Sequence, residues 1–506
     1  MNHIYQIIEK SALQYADNTA FHYKGHQLSY QVLKDTSDRL AKGLNQLGIE
    51  AGDKIGLMMP NIPHFPIAYF ALMKIGAVVV SLSIYEKSEE LHHQLEDAEV
   101  KGVVYWDGFR SEIREAIHDM PQCNKLVSLT ETPEAGEVRL QYLIENNSPL
   151  EESPFIDPDE TAIIIYTAGT TGRPKGAELS HSNILFDVES CSDFLKLSPT
   201  DGILACIPLY QPLGQTLVMN TFLLNGCTVS LDPKFDALKV LQTIQENQLT
   251  YLVGVPSMFR KFNEIPDDEK PDISHMKFCI SSGDAMRQET MDTFDKKFKI
   301  PVIESYSLTE ASPVVAFNSP IGEQRVGAIG LPIHGVDMRI VDEFGSEINV
   351  GDVGEVIVSG PNVMKGYHNR PEATKDAIRD GWLYTGDLAR LDESGYGFIV
   401  ARKNNLIVKS GFSVYPREVE KFLLGHQKVK EAGVVGLSDD RVGEEIYAAV
   451  VVKEGEQAAP EEIMSYIRER MAAYKCPKSI RFISELPRDA SGRLLREKLK
   501  EVFIKG

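Results

Sequence analysis

Neither a disulfide scaffold nor a metal-binding pattern can be traced in this chain. Its six cysteines (Cys123, Cys191, Cys206, Cys227, Cys279 and Cys476) include no CxxC pair, and no two histidines stand at metal-ligand spacing with a carboxylate. The expected state is reduced thiols in a cytoplasmic protein. Positive charge is also scarce: 53 Lys and Arg face 73 Asp and Glu, a net charge of −20. Nucleic acid and an anionic membrane surface are therefore excluded as main partners, since both would be repelled. A nucleotide can still bind through local cations, and peripheral membrane contact and oligomeric state stay open. Met1-Asn2-His3 runs into an amphipathic helix with no basic n-region or apolar h-region, so export is not expected. The longest apolar stretch, 65–84, holds Pro66 and Lys74 and reads as a helix followed by a strand, not as a membrane span. Internal repeats and low-complexity linkers are missing too.

What is present is an ordinary globular composition, 43% hydrophobic and 25% charged, over 506 residues. That length suggests roughly three folding units. FHYKGHQLSY alternates about Lys24-Gly25 like a hairpin. From Lys54 onward, strand and helix patterns alternate (KIGLMMP, a helix from His64, AVVVSL, a helix over 91–95, VKGVVYW), which implies a parallel sheet covered by helices. The alternation resumes at Ser180, a helix cap, and runs through GILACIPL, a helix up to Gly226 and CTVSL. TYLVGVP, KFCISSG and PVIESY follow as strands whose C-terminal ends carry small or polar residues, where open parallel sheets bind ligands. Between Arg325 and Lys403 helical periodicity nearly vanishes and short alternating runs predict a small β-subdomain. Helices opened by Pro416 and Pro460, with strands AGVVGL and YAAVVVK, predict a compact α+β unit from residue 404.

The stretch that carries chemistry is TAIIIYTAGTTGRPKG, 161–176. A short β-branched run, Ala162 to Ile165, leads into a loop with Gly169, Gly172 and Gly176, the hydroxyls of Thr167, Thr170 and Thr171, and two cations, Arg173 and Lys175. Glycine allows backbone amides to approach a ligand, hydroxyls donate to oxyanions and cations neutralise them, so the composition is that of a polyphosphate cradle. The pattern GxxxxGK[ST] fits in no register, which excludes the common P-loop. A Gly/Thr surface turn would account for the glycines but not for the cations and hydroxyls behind a buried strand.

With GPNVMKGY, DGWLYTGDLAR and VYPREVE downstream, the chain resembles the acyl-adenylate-forming superfamily over nearly its whole length, in wording closest to bacterial long-chain fatty acyl-CoA ligases. The resemblance implies a large N-terminal domain of parallel α/β sheets with a small distorted β-barrel subdomain (1–403, the β-subdomain about 325–403) and a small mobile α+β C-terminal domain (404–506). It also implies ATP, Mg²⁺ and coenzyme A as reactants or cofactors and a medium- to long-chain fatty acid as substrate. A carboxylate has no leaving group better than oxide, so it would first attack the α-phosphate of ATP, and a thiol would then attack the acyl-AMP.

By the same resemblance, Thr167, Gly169, Thr170, Thr171, Gly172 and Lys175 would take the β- and γ-phosphates. In SYSLTE, Tyr306 would pack on adenine, Thr309 would bond the α-phosphate and Glu310 would hold Mg²⁺; by composition alone this segment is equally a helix-capping turn. Gly283, Asp284 and Ala285 would form the adenine-side loop. Asp387 would meet the ribose and Arg402 could approach it, though a turn residue and a solvated strand end are the plain readings. Gln211 and Gly254 would border the acyl pocket, Asn404 would be the hinge, and Gly411 in KSG would line the pantetheine tunnel.

Several positions depart from the family pattern. Arg493 stands where a lysine bridges substrate and ribose, Asn404 and Asn405 remove charge from the hinge, Gln211 replaces an aromatic or His gate, Ala168 replaces a cradle Ser, and Ser307 replaces Gly. These leave two alternatives beside the CoA ligase: acyl-AMP formation with an amine or carrier thiol as acceptor, or a nucleotide- or acyl-binding homologue with degraded catalysis. Arginine keeps the charge but is larger and planar; a misplaced donor is worth about 3 kcal/mol, 10²–10³ in rate. Arg493→Lys is expected to raise the rate of acyl-AMP formation, measured by acid-dependent exchange of labelled pyrophosphate into ATP. An unchanged or lower rate would mean that the site is tuned around arginine.

Overall fold

The computed structural model describes residues 1–504 apart from 168–173, 319–324, 411, 440, 490, 491 and 493, and apart from the side chains of Asn404 and Ser413. The chain forms two compact units. One comprises Met1–Val326, Gly330–Met338 and Val358–Leu383; the other comprises Gly327–Ile329, Arg339–Ile357 and Tyr384–Gly506.

The first unit holds two large sheets. In the eight-stranded sheet the order is Gly366–Tyr367, Lys175–Ser180, Thr161–Thr167, Val78–Ser81, Lys54–Met58, Gly102–Tyr105, Lys125–Ser128, Glu137–Arg139. The strands from Thr161–Thr167 through Glu137–Arg139 are parallel neighbours, as the alternation of strand and helix patterns requires. Val78–Ser81 is buried along its whole length, hence its unbroken β-branched run. The nine-stranded sheet sets Gly202–Ala205, Tyr251–Gly254, Phe278–Ser282 and Val302–Ser307 side by side in parallel. Three strands that follow one another in sequence thus end together at one sheet edge.

Helix starts follow local chemistry. Ser180 Oγ accepts from Asn183 N at 3.1 Å while Asn183 Oδ1 accepts from Ser180 N at 2.9 Å, closing a capping box on His181–Leu195. Pro opens Pro256–Glu264, Pro416–Leu424 and Pro460–Arg468, where its missing N–H has no partner to lose. The helix read up to Gly226 is α-helical over Thr221–Leu224, whereas Gly214–Asn220 is wound as a π-helix with every residue buried. A Cβ at Gly214 would lie 2.1 Å from the Pro208 carbonyl oxygen, so only glycine permits this approach.

In the second unit, the strand Gly443–Val452 pairs antiparallel with Val429–Asp439 and parallel with Ser479–Phe482, and the apolar faces of Pro416–Leu424 and Pro460–Arg468 close its core. Trp382–Leu391 and Gly397–Arg402 form an antiparallel pair in which Asp387 stands opposite Arg402. Among the described residues no helix is long and apolar enough to cross a membrane.

One buried ion cluster ties three N-terminal helices together. Asp38 on Tyr30–Gln46 receives Lys74 Nζ of His64–Lys74 at 2.8 Å and Lys34 Nζ at 2.7 Å, and its Oδ1 also accepts from the Tyr5 hydroxyl just before Gln6–Gln14. Lys74 and Asp38 side chains are each only 2% exposed, and the ammonium lies 4.7 Å from the Tyr5 ring centroid. A buried charge is tolerated when its lone pairs and protons are satisfied and becomes costly when a partner is removed. Asp38→Ala is expected to destabilise the first unit by about 3–5 kcal/mol, read from the denaturant midpoint; a loss under ~1 kcal/mol would show that the cluster is hydrated, as exposed pairs are.

Candidate active site

The loop carrying the glycines and threonines is closed by an antiparallel hairpin. Thr161–Thr167 pairs with Lys175–Ser180, with Thr167 opposite Lys175 and Tyr166 opposite Gly176. The Thr167 hydroxyl and the Lys175 ammonium therefore start at the same end of the two strands. Gly176 is required by packing, because a Cβ there would meet Ile164 Cγ2 at 2.7 Å. The outer edge of Lys175–Ser180 is covered by Gly366–Tyr367, with Tyr367 opposite Ala177. His368 N donates to the Gly176 carbonyl at 2.7 Å and Lys365 N to that of Glu178 at 2.9 Å. The buried His368 ring meets Glu178 at 2.5 Å, and this hydrogen bond holds the Glu178 carboxyl below its ordinary pKa.

Thr309 and Glu310 sit on a single 3₁₀ turn, Thr309–Ala311, just past the strand Val302–Ser307. Glu310 Oε1 accepts from the Tyr367 hydroxyl at 2.9 Å and from Thr167 Oγ1 at 3.3 Å. Lys175 Nζ lies 4.3 Å from the centroid of the same Tyr367 ring. The ammonium of the hairpin and the carboxylate of the 3₁₀ turn thus both meet Tyr367, and the Thr167 hydroxyl joins them through Glu310. The turn itself is braced from below. Buried Asn362 donates through Nδ2 to the carbonyls of Ala311 and Val314, both at 3.1 Å, while Ser312 Oγ donates to the Asn362 carbonyl at 2.8 Å and Met364 N to the Glu310 carbonyl at 2.9 Å. Asp187, fully buried, accepts from Val314 N at 3.2 Å, and burial pushes its carboxyl pKa well up.

Chemically, this set offers hard oxygen donors and one cation. Among the described residues no group of three or more His, Cys, Asp or Glu could hold a metal ion. A cation at Glu310 would therefore need further oxygens from a phosphorylated ligand, which is how magnesium is commonly held, by one or two carboxylates plus substrate phosphates. The Glu310 carboxylate with the Thr167 hydroxyl fits that ion.

The remaining expected residues divide into groups. Ser282 and Ser307, at neighbouring strand ends, join hydroxyls at 2.9 Å, so the serine at 307 is tied into the strand carrying SSGDAM. Gly283 has φ +85°, the left-handed region that glycine favours, and Ala285 N donates to Asp284 Oδ1 at 2.9 Å. Tyr306 stands half-buried opposite Ala316. Gly254 ends its strand against Met258 and Phe259. Gln211 is half-buried; its N donates to Pro208 O at 3.1 Å and its carbonyl accepts from Gln215 N at 3.0 Å. In the second unit, Arg402 Nε lies 2.8 Å from buried Asp387 Oδ1, an ion pair in place of a solvated strand end. Asn404 lies in the short turn Lys403–Asn405. Gly169, Thr170, Thr171, Gly172, Gly411 and Arg493 lie outside the described residues. Sequence reasoning gave no role to Tyr367 or Asn362, although both stand in the quoted GPNVMKGY.

Comparison with known proteins gives concordant matches. The family model described as AMP-binding enzyme matches residues 8–368, and that of the AMP-binding enzyme C-terminal domain matches 418–493. A long-chain-fatty-acid–CoA ligase of Bacillus subtilis is 34% identical, covering 98% of this chain and 93% of its own length. A feruloyl-CoA synthase of Amycolatopsis is 31% identical over 96% of each chain. The solved structure of ATP-bound MatB from Rhodopseudomonas palustris, 29% identical, aligns with a TM-score of 0.90 over 99% of both chains.

Glu310→Gln keeps the shape of the side chain and its hydrogen-bonding oxygen but removes the charge. It is expected to lower acid-dependent exchange of pyrophosphate into ATP by about 10²–10³ without lowering the melting temperature. Full exchange activity would remove Glu310 from the reacting centre.

Proposed function

We propose that this chain, which belongs to the AMP-binding enzyme family and is an AMP-forming CoA ligase, activates a fatty acid of medium to long chain. The carrying observation is that Glu310 accepts from both Thr167 and Tyr367 while Lys175 lies over the Tyr367 ring, at the mouth of the hairpin. In the first half-reaction a carboxylate oxygen attacks the α-phosphorus of ATP, the bond from that phosphorus to the α,β-bridging oxygen breaks, and pyrophosphate leaves with its electron pair. In the second, the sulfur of CoA attacks the acyl carbonyl, its proton is lost, and AMP departs.

The protein's part is placement and charge. Lys175 neutralises the β- and γ-phosphates together with the loop 168–173. Thr309 donates to the α-phosphate, and Tyr306 with Gly283, Asp284 and Ala285 borders the adenine. Glu310, with oxygens of the nucleotide's own phosphates, would hold magnesium, which would supply charge neutralisation there. Asp387 accepts from the ribose hydroxyls, and its ion pair with Arg402 aims the carboxylate. Asn404 serves as the hinge of the C-terminal unit, Arg493 brings the second positive charge, and Gly411 lines the path of the CoA arm. We place this chemistry in the cytoplasm, in keeping with six cysteines that are all free and buried.

The fatty-acid reading rests on the Bacillus subtilis relative and on the apolar surroundings of Gly254, where Met258 and Phe259 flank the strand end. Apolar walls hold a chain without directional contacts. Gln211 is the polar group at this border. The feruloyl-CoA synthase relative makes an aromatic acid the competing substrate. Pyrophosphate release measured across straight-chain and aromatic acids, with thioester release measured on adding CoA, is expected to give the highest kcat/KM for a straight-chain acid. Preference for an aromatic acid would overturn the substrate, and pyrophosphate release without thioester would overturn the acceptor.

A further inference from the structure

Lys175 and Glu310 pose an electrostatic problem that the nucleotide-free site has to solve. An ammonium and a carboxylate reaching into one small space attract each other, and a direct pair would occupy the lysine needed by the phosphates and the carboxylate needed by the metal. Among the described residues the two do not meet. Tyr367 stands between them and uses two different surfaces: its ring face carries Lys175 Nζ 4.3 Å from the centroid, and its hydroxyl donates to Glu310 Oε1 at 2.9 Å. The negative face of the ring satisfies a cation, and the phenolic proton satisfies an anion.

The ring is held in that position by the backbone. Tyr367 pairs with Ala177 in the strand that begins at Lys175, and its N–H donates to Thr374 Oγ1 at 2.8 Å. Its neighbour Gly366 lies at φ +153°, and a Cβ there would come within 2.6 Å of Thr374 Cγ2. Only glycine lets the strand and the helix Pro371–Ala377 close on each other so tightly. Neither contact of Tyr367 neutralises a charge, so each yields readily when phosphate or metal arrives.

We infer that Tyr367 is a positioning residue that keeps Lys175 and Glu310 apart in the nucleotide-free enzyme, so that each is available to its own ligand. The inference rests on the reading of this site as a magnesium–nucleotide site. The test is calorimetric ATP binding to the full chain, with and without Mg²⁺, on the wild type, Tyr367→Phe, Tyr367→Leu, Glu310→Gln and the double variant Tyr367→Leu/Glu310→Gln, each checked for folding by its melting temperature. Tyr367→Leu removes ring and hydroxyl, allows the Lys175–Glu310 pair to form, and is expected to weaken metal-free ATP binding about tenfold. Adding Glu310→Gln frees the lysine, so the double variant regains that affinity by more than Glu310→Gln changes the wild type. Tyr367→Phe keeps the ring and is expected to lose about tenfold of the affinity gained from Mg²⁺.

Equal loss in the single and double leucine variants, or wild-type metal-free binding by Tyr367→Leu, overturns the inference. Should Tyr367→Leu fail to fold, an undiminished magnesium gain in Tyr367→Phe overturns it. Wild-type protein that binds no nucleotide overturns the reading of the site itself.

Discussion

The strand Lys175–Ser180 is hydrogen-bonded along both edges, and the arrangement of the site depends on that pairing. On one side it returns antiparallel to Thr161–Thr167, which sets Thr167 against Lys175; on the other it accepts Gly366–Tyr367, which brings in the ring that meets both Lys175 and Glu310. Ladder hydrogen bonds fix relative position to within a residue, and a slip by one would turn every side chain to the opposite face. The charges of the site are therefore placed by main-chain pairing between segments far apart in sequence, with packed side chains such as His368 and Glu178 securing the pairing.

The turn bearing Thr309 and Glu310 is secured differently. It closes on itself through Ser312 N, which donates to the Thr309 carbonyl, hands the carbonyls of Ala311 and Glu310 to Asn362 and Met364, and is followed by Val314, whose amide donates to Asp187. One segment, 362–367, thus supports the turn through Asn362 and the side chain of Glu310 through Tyr367. A single displacement of that segment would disturb both.

Much of the architecture could be read from the sequence because it follows local patterns. Period-two alternation marked the hairpin about Lys24-Gly25, and β-branched runs separated by helical periods marked the parallel strands from Lys54 to Tyr105. Proline at the start of two helices and Ser180 at a third identified their origins. The candidate site was legible where chemistry is concentrated in one stretch, as with Lys175 or Glu310. It was not legible where partners are distant. Tyr367 lies 57 residues beyond Glu310 in a two-residue edge strand that has no period to detect. The link between Ser282 and Ser307 crosses adjacent strands, so the serine at 307 looked only like an intrusion. The change to π winding over Gly214–Asn220 reflects packing of buried polar groups such as Gln215, whose Nε2 donates to Ser81 Oγ at 2.8 Å, and propensity carries no trace of it.

The direct opposition of Thr167 and Lys175 also bears on how such a loop can vary. Where a phosphate-binding segment is itself the first turn of a helix, a residue inserted within that turn rotates the packed face by about 100°. Here both anchors belong to one hairpin, and a change in the length of 168–174 leaves the ladder below it in register. The two strand ends thus act as a fixed frame, and tolerance to change in length is expected of the segment they join, as it is of loops carried on a paired scaffold.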